Sequence, residues 1–370
     1  MKTKFDYLVI GSGIFGAVFT EIASRNGKSC LVLERRKHLG GNIYTEKNAE
    51  ITVHKYGAHI FRTDNDLVWN YIKRFSAFNN FINSPLANYR GQIYNLPFNM
   101  NTFYQMWQTI TPKEAQKRLE EGRREIKGEP TNLEEKAISM VGRDIYEVLI
   151  QGYTEKQWGK KCKELPPEII ARIPVRLTYD NNYFSEKYQG IPISGYTAII
   201  EKMLQKATIE LNVDYLANQE KYRNLAKRII FTGAIDEYYD YCLGPLEYRS
   251  LRFEETCLNT ANFQGVAVVN YTDYETPYTR IIEHKHFEFG QQAKSIITKE
   301  YPWPWQPGIE PYYPLNDHKN QSLYQSYQQR NKESQVIFKG RLGEYRYYNM
   351  DDTIKSAMAL AKAEIAGVKI

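Results

Sequence analysis

The chain has 370 residues, 42% of them hydrophobic and 25% charged, which excludes a disordered polyelectrolyte and indicates a globular protein. Its 49 basic and 43 acidic residues leave a formal charge of +6. They are mixed along the chain without a basic block, so no nucleic-acid partner is expected and an anionic small substrate is. No uninterrupted apolar run reaches about 18 residues, so no membrane span is expected.

The opening "MKTKFDYLVIGSGIFGAVF" imitates a secretory leader. Asp6 and the spaced glycines instead predict a strand and a turn, with no small-residue cleavage site after them. The four cysteines, Cys30, Cys162, Cys242 and Cys257, lack paired spacing, as expected for reduced thiols in a cytoplasmic protein without a metal site.

Residues 5–10 are β-rich, residues 14–26 suit a helix, and "SCLVLERR" (29–36) supplies a second strand. Between the first strand and the helix stand Gly11, Gly13 and Gly16, the spacing of a dinucleotide fingerprint in its strand–turn–helix–strand context. Glycines there allow a tight turn and close backbone approach, while the helix amino terminus faces a pyrophosphate. Glu34 closes the second strand, where a carboxylate can accept hydrogen bonds from a ribose. Gly40, Gly41 and Asn42 follow at once, a second glycine pair that resembles FAD-binding flavoproteins.

Further along, "TPKEAQKRLEEGRREI" and "NLEEKAISMVGRDIYEVLI" have helical periodicity, with Thr111 and Asn132 as caps. Residues 80–175 read as a mainly helical insertion, between a first nucleotide-binding segment (1–79) and a return to that domain (176–245) that includes a strand ending at Thr232–Gly233. Residues 246–314 read as a mixed β-sheet over the site, and 315–370 as the last segment of the cofactor domain. "YPWPWQPGIEPYYP" (301–314) is Pro-rich but aromatic, which suits a docked loop. His284 and His286, one residue apart, are expected on one face of a strand, packed and not ligating metal. The expected fold is α/β: a Rossmann-like FAD-binding domain of discontinuous sequence, with the helical insertion and the mixed sheet.

The segments "YGAHIFRTDN" (56–65), "GYTEKQWG" (152–159), "YTRIIEHKHF" (278–287), "PYYPL" (311–315) and "GRLGEYRYYNMD" (340–351) together resemble the bacterial UDP-galactopyranose mutase family, in order and over residues 5–365. The resemblance implies an FAD isomerase that interconverts UDP-galactopyranose and UDP-galactofuranose for cell-surface polysaccharide. Reduced FAD is its active form: flavin N5 attacks the anomeric carbon, UDP leaves, and the flavin-linked sugar recloses on another hydroxyl. It further implies a homodimer, and NAD(P)H or a reductase as electron source.

Carried onto this chain, the resemblance places FAD on Gly11, Gly13, Phe15, Gly16, Glu34, Arg35, Gly41, Asn42, His59, Ile60, Arg341, Asn349, Met350, Asp351 and Thr353. It places the UDP-sugar on Arg62, Asn83, Leu149, Tyr153, Thr154, Trp158, Arg172, Tyr183, Asn270, Arg280, Tyr313 and Tyr347. Arg172, Arg280 and His59 are the residues implied in catalysis. Guanidinium forks suit a departing diphosphate, whereas each arginine alone would read as a surface residue. Three departures from the family pattern stand out. Leu149 and Ile150 replace phenylalanines near the uracil, Asn349 replaces an aspartate, and Arg62 stands where galactose-specific relatives carry histidine. Arginine at that position implies acceptance of the N-acetylgalactosamine sugar nucleotide; the alternative is that Arg62 caps a loop or pairs with Asp64. Two rival readings of the chain remain: a flavin oxidoreductase of amine-oxidase-like type, and a catalytically silent binding protein.

Overall fold

A computed structural model describes residues 4–170, 173–331 and 335–367. Five parallel strands form the nucleotide sheet, in the order Val336–Phe338, Ala226–Phe231, Phe5–Ile10, Cys30–Glu34, Thr208–Leu211. Leu8, Val9, Leu31 and Val32 are wholly buried, as expected of strands covered on both faces. The helix Ile14–Arg25 follows the glycine turn, and the long helix Met350–Ala366 and Gly195–Leu204 pack against it. All three strands that flank the turn, Phe5–Ile10, Cys30–Glu34 and Ala226–Phe231, end at the same edge, where ligands bind in open parallel sheets.

The second sheet has seven strands. Tyr248–Leu258 pairs antiparallel with Ser295–Pro304, which pairs with Arg280–Glu283, then Val268–Tyr271. Val268–Tyr271 also takes Leu86–Tyr89 alongside it in parallel, making the sheet mixed, and Gln92–Asn95 forms the edge. The segment read as mainly helical therefore opens with a hairpin of the substrate sheet. Its helices begin at Met100 and continue through Pro112–Arg123, Leu133–Val141 and Gly152–Trp158. The hairpin was hard to read because its strands are four residues each, too short for a period-two pattern to stand out.

Both expected caps are in place. Thr111 accepts from Glu114 N while the Glu114 side chain returns to Thr111 N, and Asn132 accepts from Glu135 N. The four cysteines are free thiols, Cys30 and Cys162 buried. His284 and His286 are not in a strand: the chain leaves Arg280–Glu283 and winds into a 3-10 turn, His284–Glu288. They consequently part, His284 bonding Thr298 Oγ1 at 2.8 Å and His286 lying 3.0 Å from Glu283. The Pro-rich loop is docked, because the Glu310 carboxylate bridges Arg35 at 2.7 Å and Arg36 at 2.6 Å. Among the described residues no helix is long and apolar enough to cross a membrane.

Candidate active site

A cavity of about 640 Å³ runs from the carboxyl edge of the nucleotide sheet to the face of the seven-stranded sheet. At the nucleotide end the backbone does the shaping. Gly11 has φ +100°, and a Cβ there would lie 2.3 Å from Thr232 Oγ1. A Cβ on Gly16 would sit 2.1 Å from the Gly11 carbonyl, so helix and turn can close only on glycine. Gly13 lines the cavity with nothing within 4 Å of where a Cβ would be, and Gly41 packs against it with φ +54°. Glu34, 5% exposed, accepts from Ser12 N at 2.9 Å, Ser12 Oγ at 2.6 Å and Arg36 N at 2.9 Å. These donors hold the carboxylate in place: both Ser12 bonds fall on Oε2, and Oε1, which accepts only from Arg36 N, keeps a lone-pair direction for a ribose hydroxyl.

Phe15, Arg35, Asn42, Ile60, Arg341, Asn349, Met350 and Thr353 also line the cavity. Gly16 and Asp351 are not among the residues that line it. Arg341 reaches across to donate to the Tyr312 carbonyl. Asn349 caps the helix Met350–Ala366, its carbonyl accepting from Thr353 N at 3.0 Å and Thr353 Oγ1 at 2.8 Å.

The substrate side is assembled from side chains. Asn83, Leu149, Tyr153, Tyr183, Asn270, Arg280, Tyr313 and Tyr347 converge on the cavity from separate segments. Thr154 and Trp158 stand back from it, Trp158 with its ring 6.4 Å from that of Tyr313. Arg172 lies outside the described residues. The Arg280 guanidinium donates to Tyr153 Oη and lies 3.4 Å from the Glu300 carboxylate. Burial works against the Arg280 charge, but Glu300, Tyr153 and Tyr313 outweigh it and keep the cation firmly protonated. Glu300, 2% exposed, is pushed up by burial, with Arg280 pulling against. The pair is therefore a desolvated cation with one carboxylate beside it.

Sequence reasoning missed Glu300. Its one available signal was a carboxylate on the same strand as Ile296 and Ile297, both fully enclosed. Arg36 was missed too: its Nη1 is buried without a hydrogen-bond partner among the described residues, while Nη2 donates to Asn42 at 2.8 Å.

His59 is readable as a tautomer. Its Nδ1 faces the Gly57 carbonyl at 2.8 Å, so Nδ1 carries the proton and Nε2 the lone pair. Burial drives its pKa down to about 4, opposed by the Gly57 bond. At neutral pH it is an acceptor without charge. His54 Nδ1 accepts from His59 N at 3.2 Å, and His284 Nδ1 from His54 N at 3.2 Å. Arg62 is paired with Glu186, lies 4.4 Å over the Phe184 ring and 3.5 Å from Asn349 Oδ1. Its ion-pair partner is thus Glu186 and not Asp64, whose carboxylate accepts from Lys187 N at 2.7 Å.

Residues 148–347 match the sequence family described as UDP-galactopyranose mutase, and residues 9–75 match an NAD(P)-binding Rossmann-like domain. A dTDP-fucopyranose mutase from Escherichia coli is 38% identical over 98% of this chain and 99% of its own. A protein from Klebsiella pneumoniae, named "Probable UDP-galactopyranose mutase", is 37% identical over 98% and 95%. The chain belongs to the UDP-galactopyranose mutase family. It is accordingly an enzyme of the isomerase class, with a Rossmann-like unit at its amino-terminal end. A crystal structure of reduced UDP-galactopyranose mutase shares the fold, with TM-score 0.76 at 14% identity over 99% of this chain and 96% of that one. The glycine cradle fits a dinucleotide: open space at Gly13, a held carboxylate at Glu34 and a spare buried donor on Arg36.

Proposed function

We propose that the chain binds FAD along the glycine cradle and interconverts UDP-galactopyranose and UDP-galactofuranose against the flavin, with no net redox turnover. The observation that carries this reading is one continuous cavity joining the Gly11–Gly13–Gly41 turn to the Arg280–Tyr153 pair. When bound and reduced, the flavin supplies the nucleophile. The chain's own residues bind, orient and exclude water. Arg280, joined by Arg172, holds the diphosphate as its charge develops. Tyr153, Tyr183, Tyr313 and Tyr347 wall the sugar and offer hydroxyl donors. His59 presents a neutral Nε2 that can accept a proton. Arg341 places a cation beside the cofactor.

Electrons come from NAD(P)H or a reductase, and the working form is a cytoplasmic homodimer serving surface polysaccharide. Arg62 extends the reading to UDP-N-acetylgalactosamine. A second reading, a dTDP-6-deoxyhexose substrate, is favoured by the aliphatic lining residues Leu149, Leu96 and Ile173, which suit contact with a thymine methyl, and by the name of the Escherichia coli relative.

Dithionite-reduced protein incubated with UDP-galactofuranose should yield the pyranose by chromatography, while the oxidised protein stays nearly inactive. Stoichiometric reductant use would establish the amine-oxidase-like oxidoreductase instead. Running dTDP-fucofuranose in parallel ranks the two nucleotides.

A further inference from the structure

Lys156 lies on the helix Gly152–Trp158, three residues after Tyr153 and so on the same side of the helix. Its ammonium donates to three backbone carbonyls: Tyr271 at 2.9 Å, Thr276 at 2.8 Å and Tyr278 at 3.1 Å. Three protons meet three acceptors, so the donor capacity of the group is spent. The first carbonyl is that of the last strand residue, Tyr271, and the other two belong to the loop that runs from it to the strand starting at Arg280. The two cavity residues Asn270 and Arg280 sit at the two feet of that loop, paired across the ladder.

Within itself the loop is braced. Asp273 accepts from Thr276 N at 2.7 Å and Thr276 Oγ1 at 3.0 Å, and the Tyr271 and Tyr278 rings meet edge to face at 4.8 Å. What joins it to the helix is a close backbone approach at Gly152, where a Cβ would lie 2.4 Å from the Thr272 carbonyl, together with the lysine. The contacts form a closed circuit: helix to Lys156, to hairpin, to Arg280, to Tyr153, and back to the helix.

We propose that Lys156 is a positioning residue, which sets the Asn270–Arg280 hairpin against the Tyr153 helix and thereby the affinity of the site for a nucleoside diphosphate. The inference rests on the reading that Arg280 holds the diphosphate. Without the ammonium, three inward carbonyls lose their donor and the hairpin shifts toward water. Arg280 then leaves its register with Tyr153. A lysine that merely staples the fold would lower the melting temperature without changing how the folded protein binds UDP.

The test uses flavin-loaded wild type, Lys156→Met, Lys156→Gln, Lys156→Arg and Arg280→Ala. Amide exchange over residues 271–279 is read without nucleotide, and UDP affinity by calorimetry. Lys156→Met should keep its flavin, exchange about tenfold faster in that loop, and bind UDP about tenfold more weakly, the scale of one or two lost hydrogen bonds. KM should rise accordingly while kcat at saturation changes much less. Lys156→Arg should recover most of both readouts, and Lys156→Gln should be intermediate and carry the test if the methionine variant does not fold. Unchanged exchange, or unchanged UDP affinity while Arg280→Ala weakens UDP, overturns the positioning role. If Arg280→Ala leaves UDP affinity intact, the site reading fails and the proposed coupling to affinity falls with it, while the exchange data report separately on the hairpin.

Discussion

The two ends of the cavity are built on opposite plans. At the nucleotide end a short, nearly continuous stretch, residues 7–42, makes the surface from backbone, and Gly11 and Gly16 are required there because an added Cβ would come within 2.3 and 2.1 Å of neighbouring atoms. At the substrate end the surface is side chain, drawn from the helical block, the seven-stranded sheet and the carboxyl-terminal segment, and among the described residues Tyr153 and Glu300 hold Arg280. A backbone cradle fails all at once when one atom is added. A side-chain pocket loses its contacts one at a time, and each loss has its own size.

The sharpest way to break the comparison is at Gly11. Gly11→Val places a branched side chain at φ +100° against Thr232, costing roughly 1–3 kcal/mol in strain alone and filling the approach that a pyrophosphate needs. The variant should purify colourless, with flavin content below a tenth of wild type by absorbance. Full flavin occupancy would show that the turn is not the cradle.

Arg280 is the counterpart at the other end. Arg280→Ala should retain flavin yet lose about 2–5 kcal/mol of transition-state stabilisation in kcat/KM, the usual cost of removing one member of a desolvated charge pair. Lysine should restore part of this, since it keeps charge but not the fork. Near-normal turnover of the alanine variant would remove Arg280 from the diphosphate site, and Arg172→Ala gives the parallel measurement.

The two halves meet at His54, His59 and His284, and here acid should separate them. Burial lowers the pKa of His59 to about 4 and of His284 to about 3, and holds His54 well below its ordinary value. A histidine kept neutral in the fold favours folding fully above the unfolded pKa of about 6.5. That contribution is lost as pH falls through the window from 6.5 toward 4, because only the unfolded chain takes up the proton. The slope is up to about 1.4 kcal/mol per pH unit for each group. Melting temperature measured from pH 7 to pH 4.5 should fall steeply in wild type and less steeply in His284→Gln. Parallel profiles for the two proteins would show that His284 is not held neutral.

The same contrast explains what was legible. The glycine spacing, Glu34 and the two helix caps are local signals, each completed within a few residues or one supersecondary unit, so they were read from the chain itself. Arg280 and Tyr153 stand 127 residues apart, and no periodicity connects them; only the family's motifs did. Glu300 belonged to no motif and was missed for the same reason. The 3-10 turn at His284 was misread because a two-residue spacing implies one face only if the strand continues. Arg62 shows the limit from another side, since its partner Glu186 sits in a different segment and competes with the nearer Asp64, which Lys187 occupies.

Arg62 is also where the smallest effect is expected. Its guanidinium is shared among Glu186, the Phe184 ring and Asn349, so one face is committed to holding the arginine in place beside the cavity it lines. An acetamido carbonyl could accept from this guanidinium, a contact that galactose does not offer. One such polar contact amounts to about 1–2 kcal/mol, enough to shift preference without excluding either sugar. Arg62→His should therefore lower kcat/KM for UDP-N-acetylgalactosamine roughly tenfold more than for UDP-galactose. Glu186→Gln serves as the control for position: it leaves the guanidinium but loosens its hold, so it should move the same ratio in the same direction by less. Both ratios are read from reduced protein with each furanose substrate, and the melting temperature of each variant separates a lost contact from a lost fold. Equal losses on the two sugars would assign Arg62 to holding Glu186 alone, and no wild-type turnover of the N-acetylated sugar would end the proposal.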